Sequence, residues 1–142
     1  MTETKLDRWT QYAAILGALV TAGSMVFGVL TFRRTSEEQR QSMALGMLQD
    51  YLKLSVEHPE LASFEEGERV DIKHAWFAAN ALFTAQTLWK LQGDDPRWER
   101  IIKAIIRDHA IFLRHGNFAC DEYEPEFINY IKTNVPALKC AT

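Results

Sequence analysis

The sequence has few residues that cross-link or interrupt a chain. Its 142 residues include two cysteines and four prolines, which excludes a disulfide scaffold and a collagen-like chain. An apolar share of 47% excludes a disordered chain. No segment of useful length alternates apolar and polar residues, so an all-α protein is predicted. Cys120 and Cys140 suit a reducing compartment as free thiols, and a bridge between them is possible in principle if this part of the chain faces outside.

Charge is missing from one long segment. Residues 9–32, WTQYAAILGALVTAGSMVFGVLTF, contain no Asp, Glu, Lys or Arg. As a helix this run rises about 36 Å, enough to cross a hydrocarbon layer of about 30 Å. Core helices of soluble proteins are usually shorter and carry some charge, and a cleaved signal peptide has a shorter apolar stretch. The sequence therefore predicts a short head (1–8), a single transmembrane helix (9–32) and a helical domain (33–142).

Both ends of the predicted span suit the membrane surface. Trp9 and Tyr12 place amphipathic rings at one end, where such rings prefer the headgroup level. Phe32 closes the other end, and Arg33 and Arg34 follow it with side chains long enough to reach lipid phosphates. These five residues are the predicted membrane anchor, with lipid as the first partner.

Basic residues on the two sides of the span bear on its orientation. Lys5, Arg8 and the N-terminal amine precede it, and Arg33, Arg34 and Arg40 follow it. The counts are nearly level. The adjacent arginine pair and the very short head favour a cytoplasmic helical domain, so we predict a single-pass protein of a bacterial inner membrane with its N-terminus outside.

Small residues repeat along the predicted span. Ala14, Ala18 and Ala22 lie four apart, and Ser24 and Gly28 repeat that spacing. Such faces let a second helix approach closely in lipid, although the same composition is ordinary for a membrane helix. We treat these five residues as candidate partner contacts.

About four helices are predicted beyond the span, as a compact bundle. Thr35 with Glu38 forms a capping box, which marks either a new helix or a point through which the membrane helix continues. An amphipathic stretch then runs to Glu57, and His58-Pro59 ends it. A loop or short helical turn is predicted over 59–69, with later helices from about Val70 to Gln92, from Asp95-Pro96 to His115-Gly116, and from Glu124-Pro125 to about Asn134.

The helix predicted to start near Val70 is apolar almost all round. Its middle reads AWFAANALFTA, and along the helix only Lys73, Asn80, Thr84 and Thr87 form a narrow polar stripe. A helix of this kind lies in the centre of a bundle or against a second protein. Trp76 and Phe77 are therefore candidate partner contacts.

Sequence motifs for catalysis and nucleic-acid binding are missing. The chain has no GxSxG, P-loop, GxGxxG or kinase signature. Residues 33–142 hold 14 of the 16 basic and 17 of the 19 acidic residues, so no basic excess supports nucleic-acid binding. His115, Cys120, Asp121 and Glu122 cluster, but not at zinc spacing. We predict no metal and no cofactor.

Three polar residues remain as weaker candidates for a site. His109 lies on the apolar stripe of its helix and is predicted to be a core histidine, with a base or ligand as the alternative. His74 follows Asp71 at i, i+3, the spacing of a carboxylate–histidine pair or of a simple helix cap. Asn80 and the tryptophans would complete a pocket around His109.

The order of features along the chain adds a resemblance. A span leads to Arg33-Arg34, a His58-Pro59-Glu60-Leu61 turn, an aromatic-rich helix, a helix led by Trp98, and Pro125-Glu126-Phe127 with Tyr130-Ile131. The chain resembles a widespread group of small, functionally unassigned bacterial proteins with one N-terminal span and a helical C-terminal domain. The resemblance implies fold and placement and carries no catalytic residue.

These observations lead to two hypotheses. The first is a non-enzymatic accessory subunit or interaction module of a membrane assembly, bound to itself or to a larger complex. The second is a membrane-anchored enzyme or ligand sensor with a pocket in the helical domain.

Overall fold

The computed structural model describes residues 3–62, 71–115 and 118–141, with side chains from Ile15 onward. Within these ranges the chain is helical and has no strand, and Phe118 and Cys140 form an isolated β-bridge. The predicted all-α class is confirmed for this part of the chain. The helices are α1 (Glu3–Glu57), α2 (Pro59–Ala62), α3 (Ile72–Gln92), α4 (Pro96–Asp108), α5 (Ala110–Arg114) and α6 (Pro125–Asn134), with a 3-10 turn at Cys120–Glu122.

The chain divides into two compact units, Met1–Gln39 and Arg40–Thr142. Helix α1 continues through Thr35 without interruption, so the continuing helix is the alternative that the structure adopts. Its apolar part is long enough and apolar enough to cross a membrane, and its described side chains are not buried. The side chains of Trp9, Tyr12 and Ala14 lie outside the described residues.

Hydroxyl groups within the apolar part of α1 are bonded to its own backbone. Thr21 Oγ1 donates to the carbonyl oxygen of Gly17 at 2.8 Å, and Ser24 Oγ donates to that of Val20 at 2.8 Å. In lipid, a polar group without a partner costs several kcal/mol. Because each hydroxyl is already hydrogen-bonded within its own helix, it needs no partner from a neighbouring helix in a hydrocarbon environment.

The core of the second unit forms mainly where α3 packs against α4. Ala78, Ala81 and Ala85 on α3 are almost fully buried, and such small side chains let the two helices approach closely. The predicted apolar stripe of α4 faces inward, with Ile102 and Ile105 buried. Other buried core residues are Ala44 and Tyr51 of α1, Phe112 and Leu113 of α5, and Phe127, Ile128 and Ile131 of α6.

Helix ends follow the local sequence. Asp95 caps α4, accepting the backbone N–H of Arg97 at 2.8 Å, and Pro96 occupies the first turn. Gly93 is the C-cap of α3, where its N–H donates to the carbonyl oxygen of Trp89 at 2.9 Å and a Cβ would overlap that oxygen. Helix α6 has its predicted bounds, and its buried residues are Phe127, Ile128 and Ile131.

One predicted boundary needs correction. The helix expected to run to His115 breaks at His109, whose φ of −102° and ψ of 13° leave the helical region, so α4 and α5 are separate. The stretch predicted as a loop or short helical turn begins with the four-residue helix α2, which agrees with the helical alternative. Residues 63–70, including the predicted start of a helix at Val70, lie outside the described residues.

Candidate functional site

An open groove of about 730 Å³ lies along one face of α3. Ile72, Trp76 and Phe83 form this face, since residues separated by whole helical turns share one side of a helix. We call it the α3 groove. Its lining residues are Leu54, His58, Leu61, Ile72, Lys73, Trp76, Phe77, Ala79, Asn80, Phe83, Glu122 and Tyr123.

Three apolar side chains of the α3 groove are unusually exposed. Ile72 is 74% exposed, Trp76 72% and Phe83 58%. On α1, Leu52 and Val56 also expose more than half of their surface. Single exposed apolar residues are ordinary, whereas a grouped set on one helix face marks a surface that meets something apolar.

The wall of the groove that contains Tyr123 is held against α3 by polar contacts. The Tyr123 hydroxyl donates to the carbonyl oxygen of Ala79 at 3.3 Å, and the Glu124 backbone N–H donates to Gln86 Oε1 at 3.1 Å. Lys90 forms an ion pair with Glu124. Burial raises the pKa of Tyr123 to about 12, because the charged phenolate would lose its hydration.

The residues predicted as partner contacts on α3 have different environments. Trp76 projects into the groove and is largely exposed, as a contact residue would be. Phe77 borders the groove but is only 5% exposed, because its ring packs in the core between Tyr51 and His109. It offers a partner little surface. Thr84, predicted on the polar stripe, is also buried.

The predicted pocket around His109, Asn80 and the tryptophans is not assembled. Asn80 and Trp76 line the groove, but His109 is not among the described residues that do so. Trp98 is buried in the core, and Trp89 packs against Phe127 with ring centroids 5.8 Å apart.

His109 is instead enclosed in the core at 1% exposure. Its Nε2 lies 3.3 Å from the Tyr51 hydroxyl, and its Nδ1 has no hydrogen-bond partner among the described residues. Burial lowers the pKa of His109 to about 4, because the charged ring would lose its hydration. The neutral ring is therefore part of the packing.

His74 belongs to the start of α3. Asp71 Oδ1 accepts the backbone N–H of His74 at 2.9 Å and lies 2.8 Å from its Nδ1. These bonds lower the pKa of the Asp71 carboxyl. His74 Nε2 lies 3.3 Å from the carbonyl oxygen of Glu60. The structure shows both predicted alternatives, because Asp71 caps α3 and also contacts the His74 ring, and that ring contacts α2 as well.

The other polar candidates remain separate. His115 Nδ1 lies 2.7 Å from the carbonyl oxygen of Ile111, and His58 Nδ1 lies 3.3 Å from Glu60 Oε1. Across the described ranges, no group of three or more His, Cys, Asp or Glu residues is arranged to hold a metal ion. The absence of a metal or cofactor remains a prediction.

Of the two alternatives left open for the cysteines, the structure adopts the bridge and not the free thiols. Cys120 and Cys140 are joined in a disulfide, with Cα atoms 5.4 Å apart. The residues are 20 positions apart in the sequence and meet because the C-terminal segment folds back.

A second cavity, of about 450 Å³, has basic side chains at its mouth. Arg100, Lys103 and Arg107 line it together with Asn134 and Val135. Lys103 is paired with Glu99 at 2.7 Å, and Arg107 Nε lies 3.7 Å from Asp108. These carboxylates offset much of the positive charge, so the cavity does not form a concentrated anion site.

Comparison with known proteins gives no match to the chain among protein-family models, curated proteins or solved structures.

Proposed function

We propose that this chain is a non-enzymatic, single-pass bacterial membrane protein and an accessory or interaction subunit of a membrane assembly. The apolar part of α1 is the lipid-embedded anchor, and the second unit binds a partner, either another copy or a larger complex. The exposed apolar face of the α3 groove carries the proposal. Aromatic anchors such as Trp76 are the residue type that dominates binding energy at protein interfaces.

Contact within the membrane is a second part of the proposal. Ala18, Ala22, Ser24 and Gly28 are exposed on α1, and a Cβ added at Gly28 would meet nothing within 4 Å. A neighbouring helix has room to approach this surface closely. The two contacts are independent, since each lies within its own unit.

The mass of the protein in mild detergent tests the proposal. We expect the full-length chain, at native abundance, to migrate as an assembly, and Trp76→Asp to lower the mass of that assembly by removing the contact at the α3 groove. Because Trp76 is largely exposed, this change should leave the melting temperature nearly unaltered. Asn129→Asp introduces the same charge at an exposed position of α6 and should leave the assembly intact. A monomeric wild-type protein without any bound partner would contradict the proposal.

The alternative of a membrane-anchored ligand sensor or enzyme is supported by the polar rim of the groove. His58, Lys73, Asn80 and Glu122 surround an apolar floor, the arrangement by which small-molecule sites orient an amphiphilic ligand. Native mass spectrometry separates the hypotheses. A small molecule retained by the wild-type monomer and lost in Asn80→Leu would favour the sensor, whereas added protein mass lost in Trp76→Asp would favour the interaction module.

A further inference from the structure

We propose that Cys120 and Cys140 form a structural disulfide in the cell, and that the helical unit therefore folds on the oxidising, extracytoplasmic side of the membrane. The Cα separation of 5.4 Å lies within the range that a disulfide requires. The placement rests on the transmembrane part of the proposed function and does not depend on the partner.

The surrounding backbone holds the two cysteines together. The Lys139 N–H donates to the carbonyl oxygen of Leu113 at 2.9 Å, and the Ala141 N–H donates to that of Phe118 at 2.8 Å. These bonds flank Cys140 on both sides and bring it beside the 3-10 turn that begins at Cys120. The fold itself therefore brings the thiols together, and the bond links the C-terminal segment to the core.

Forming the disulfide requires an electron acceptor, and keeping it requires an oxidising compartment. Joining the two thiols releases two protons and two electrons, which a protein disulfide of the extracytoplasmic thiol-oxidising system accepts as it is reduced to a dithiol. Cys140 is exposed, so cytoplasmic thiol reductants would reach the bond and reduce it. A persistent bond therefore indicates the oxidising side.

Other roles for the two cysteines have less support. The cysteines have no CxxC spacing, which is the pattern of a redox-active pair. Among the described residues, no group of His, Cys, Asp and Glu could hold a metal ion, so metal binding by the cysteines has no support.

The basic residues on the two sides of the span also bear on the placement. Lys5 and Arg8 precede the span and Arg33, Arg34 and Arg40 follow it, so the number of basic side chains differs by one between the two sides. That difference is too small to decide the orientation, and the disulfide points away from the cytoplasmic placement that the arginine pair suggests.

The thiol state in living cells is the first test. Cells expressing the full chain are quenched with acid, and free thiols are then alkylated with a mass-tagged maleimide. We expect no tag without prior reduction and two tags after it. Two tags without reduction would overturn the proposal, because both thiols would then be free in the cell.

Single reporters in the wild-type background give the second test. Asn129→Cys lies on an exposed part of α6, and Thr2→Cys lies in the head before the span. A membrane-impermeant maleimide should label Asn129→Cys in intact cells and reach Thr2→Cys only after permeabilisation. Labelling of Thr2→Cys alone would overturn the placement. Equal labelling of both would also overturn it and would assign the failure to the membrane span of the proposed function.

Discussion

The hydroxyl of Tyr51 lies 3.3 Å from Nε2 of His109, and this contact joins α1 to the junction between α4 and α5 inside the core. Both residues are buried, and the ring of Phe77 packs against each of them. The second ring nitrogen, Nδ1, has no partner among the described residues, so within that part of the chain the imidazole is hydrogen-bonded through Tyr51.

A double-mutant cycle tests this pair. Tyr51→Phe should lower the free energy of unfolding by about 1–3 kcal/mol, because it leaves the buried imidazole without a partner. His109→Leu should be destabilising as well. The double variant Tyr51→Phe/His109→Leu should cost less than the sum of the two, since it removes both polar groups together. Chemical unfolding measures all three, and strict additivity would contradict a direct interaction.

Stability should fall as the pH is lowered from 6.5 towards 4. His109 has an ordinary pKa of 6.5 when unfolded and a pKa of about 4 when folded, because burial disfavours its charge. Above pH 6.5 both states are neutral and the stability is complete; below it the unfolded chain binds the proton first, so unfolding is favoured until the folded state is also protonated. The loss amounts to about 3 kcal/mol at most.

The control for the pH effect is His109→Leu, measured over the same range. Between pH 6.5 and 4, the free energy of unfolding of this variant should fall less steeply with pH, because the contribution of His109 is absent. An unchanged slope in this variant would assign the pH dependence to other groups.

Ile105 tests the core of the helical unit. Its side chain is 4% exposed, so Ile105→Ala should cost about 2–5 kcal/mol by creating a cavity. Ile72→Ala is the matched control, because Ile72 is 74% exposed and the same deletion there should change stability by about 0.5 kcal/mol or less. Thermal or denaturant unfolding compares the two. Equal costs would mean that the inward face of α4 is misassigned.

The disulfide should stabilise the folded protein. Cys120→Ser combined with Cys140→Ser should lower the free energy of unfolding by about 2–4 kcal/mol, since the unfolded chain gains conformations when the loop is opened. A reductant added to the wild-type protein should produce a similar loss, and adding it to the double variant should produce none. A reductant effect of equal size on the variant would show that the bond is not its cause.

Local sequence determined much of the helical framework. Asp95-Pro96 set the start of α4, Gly93 the end of α3, and the spacing of Ile102 and Ile105 the inward face of α4. The uncharged run over 9–32 likewise predicted a long apolar helix. Each of these features depends on neighbours within a few turns, so periodicity and capping chemistry suffice to predict it.

The break between α4 and α5 was beyond local rules. No proline or glycine stands at His109, and its apolar spacing is that of a continuous helix, yet its backbone leaves the helical region where the ring enters the core. The same limit applies to Thr84 and Phe77. The sequence predicted Thr84 on a polar stripe and Phe77 as a partner contact, whereas the structure buries both.

The all-α class, the long apolar helix and most helix ends could be read from the amino-acid sequence, because the residues responsible are close together in the chain. The partner of His109, the joining of Cys120 to Cys140 and the walls of the α3 groove depend instead on the folded chain. The groove takes residues from α1, α2, α3 and the segment that includes Tyr123. Contacts between such distant segments depend on how whole helices pack, and no local pattern encodes that packing.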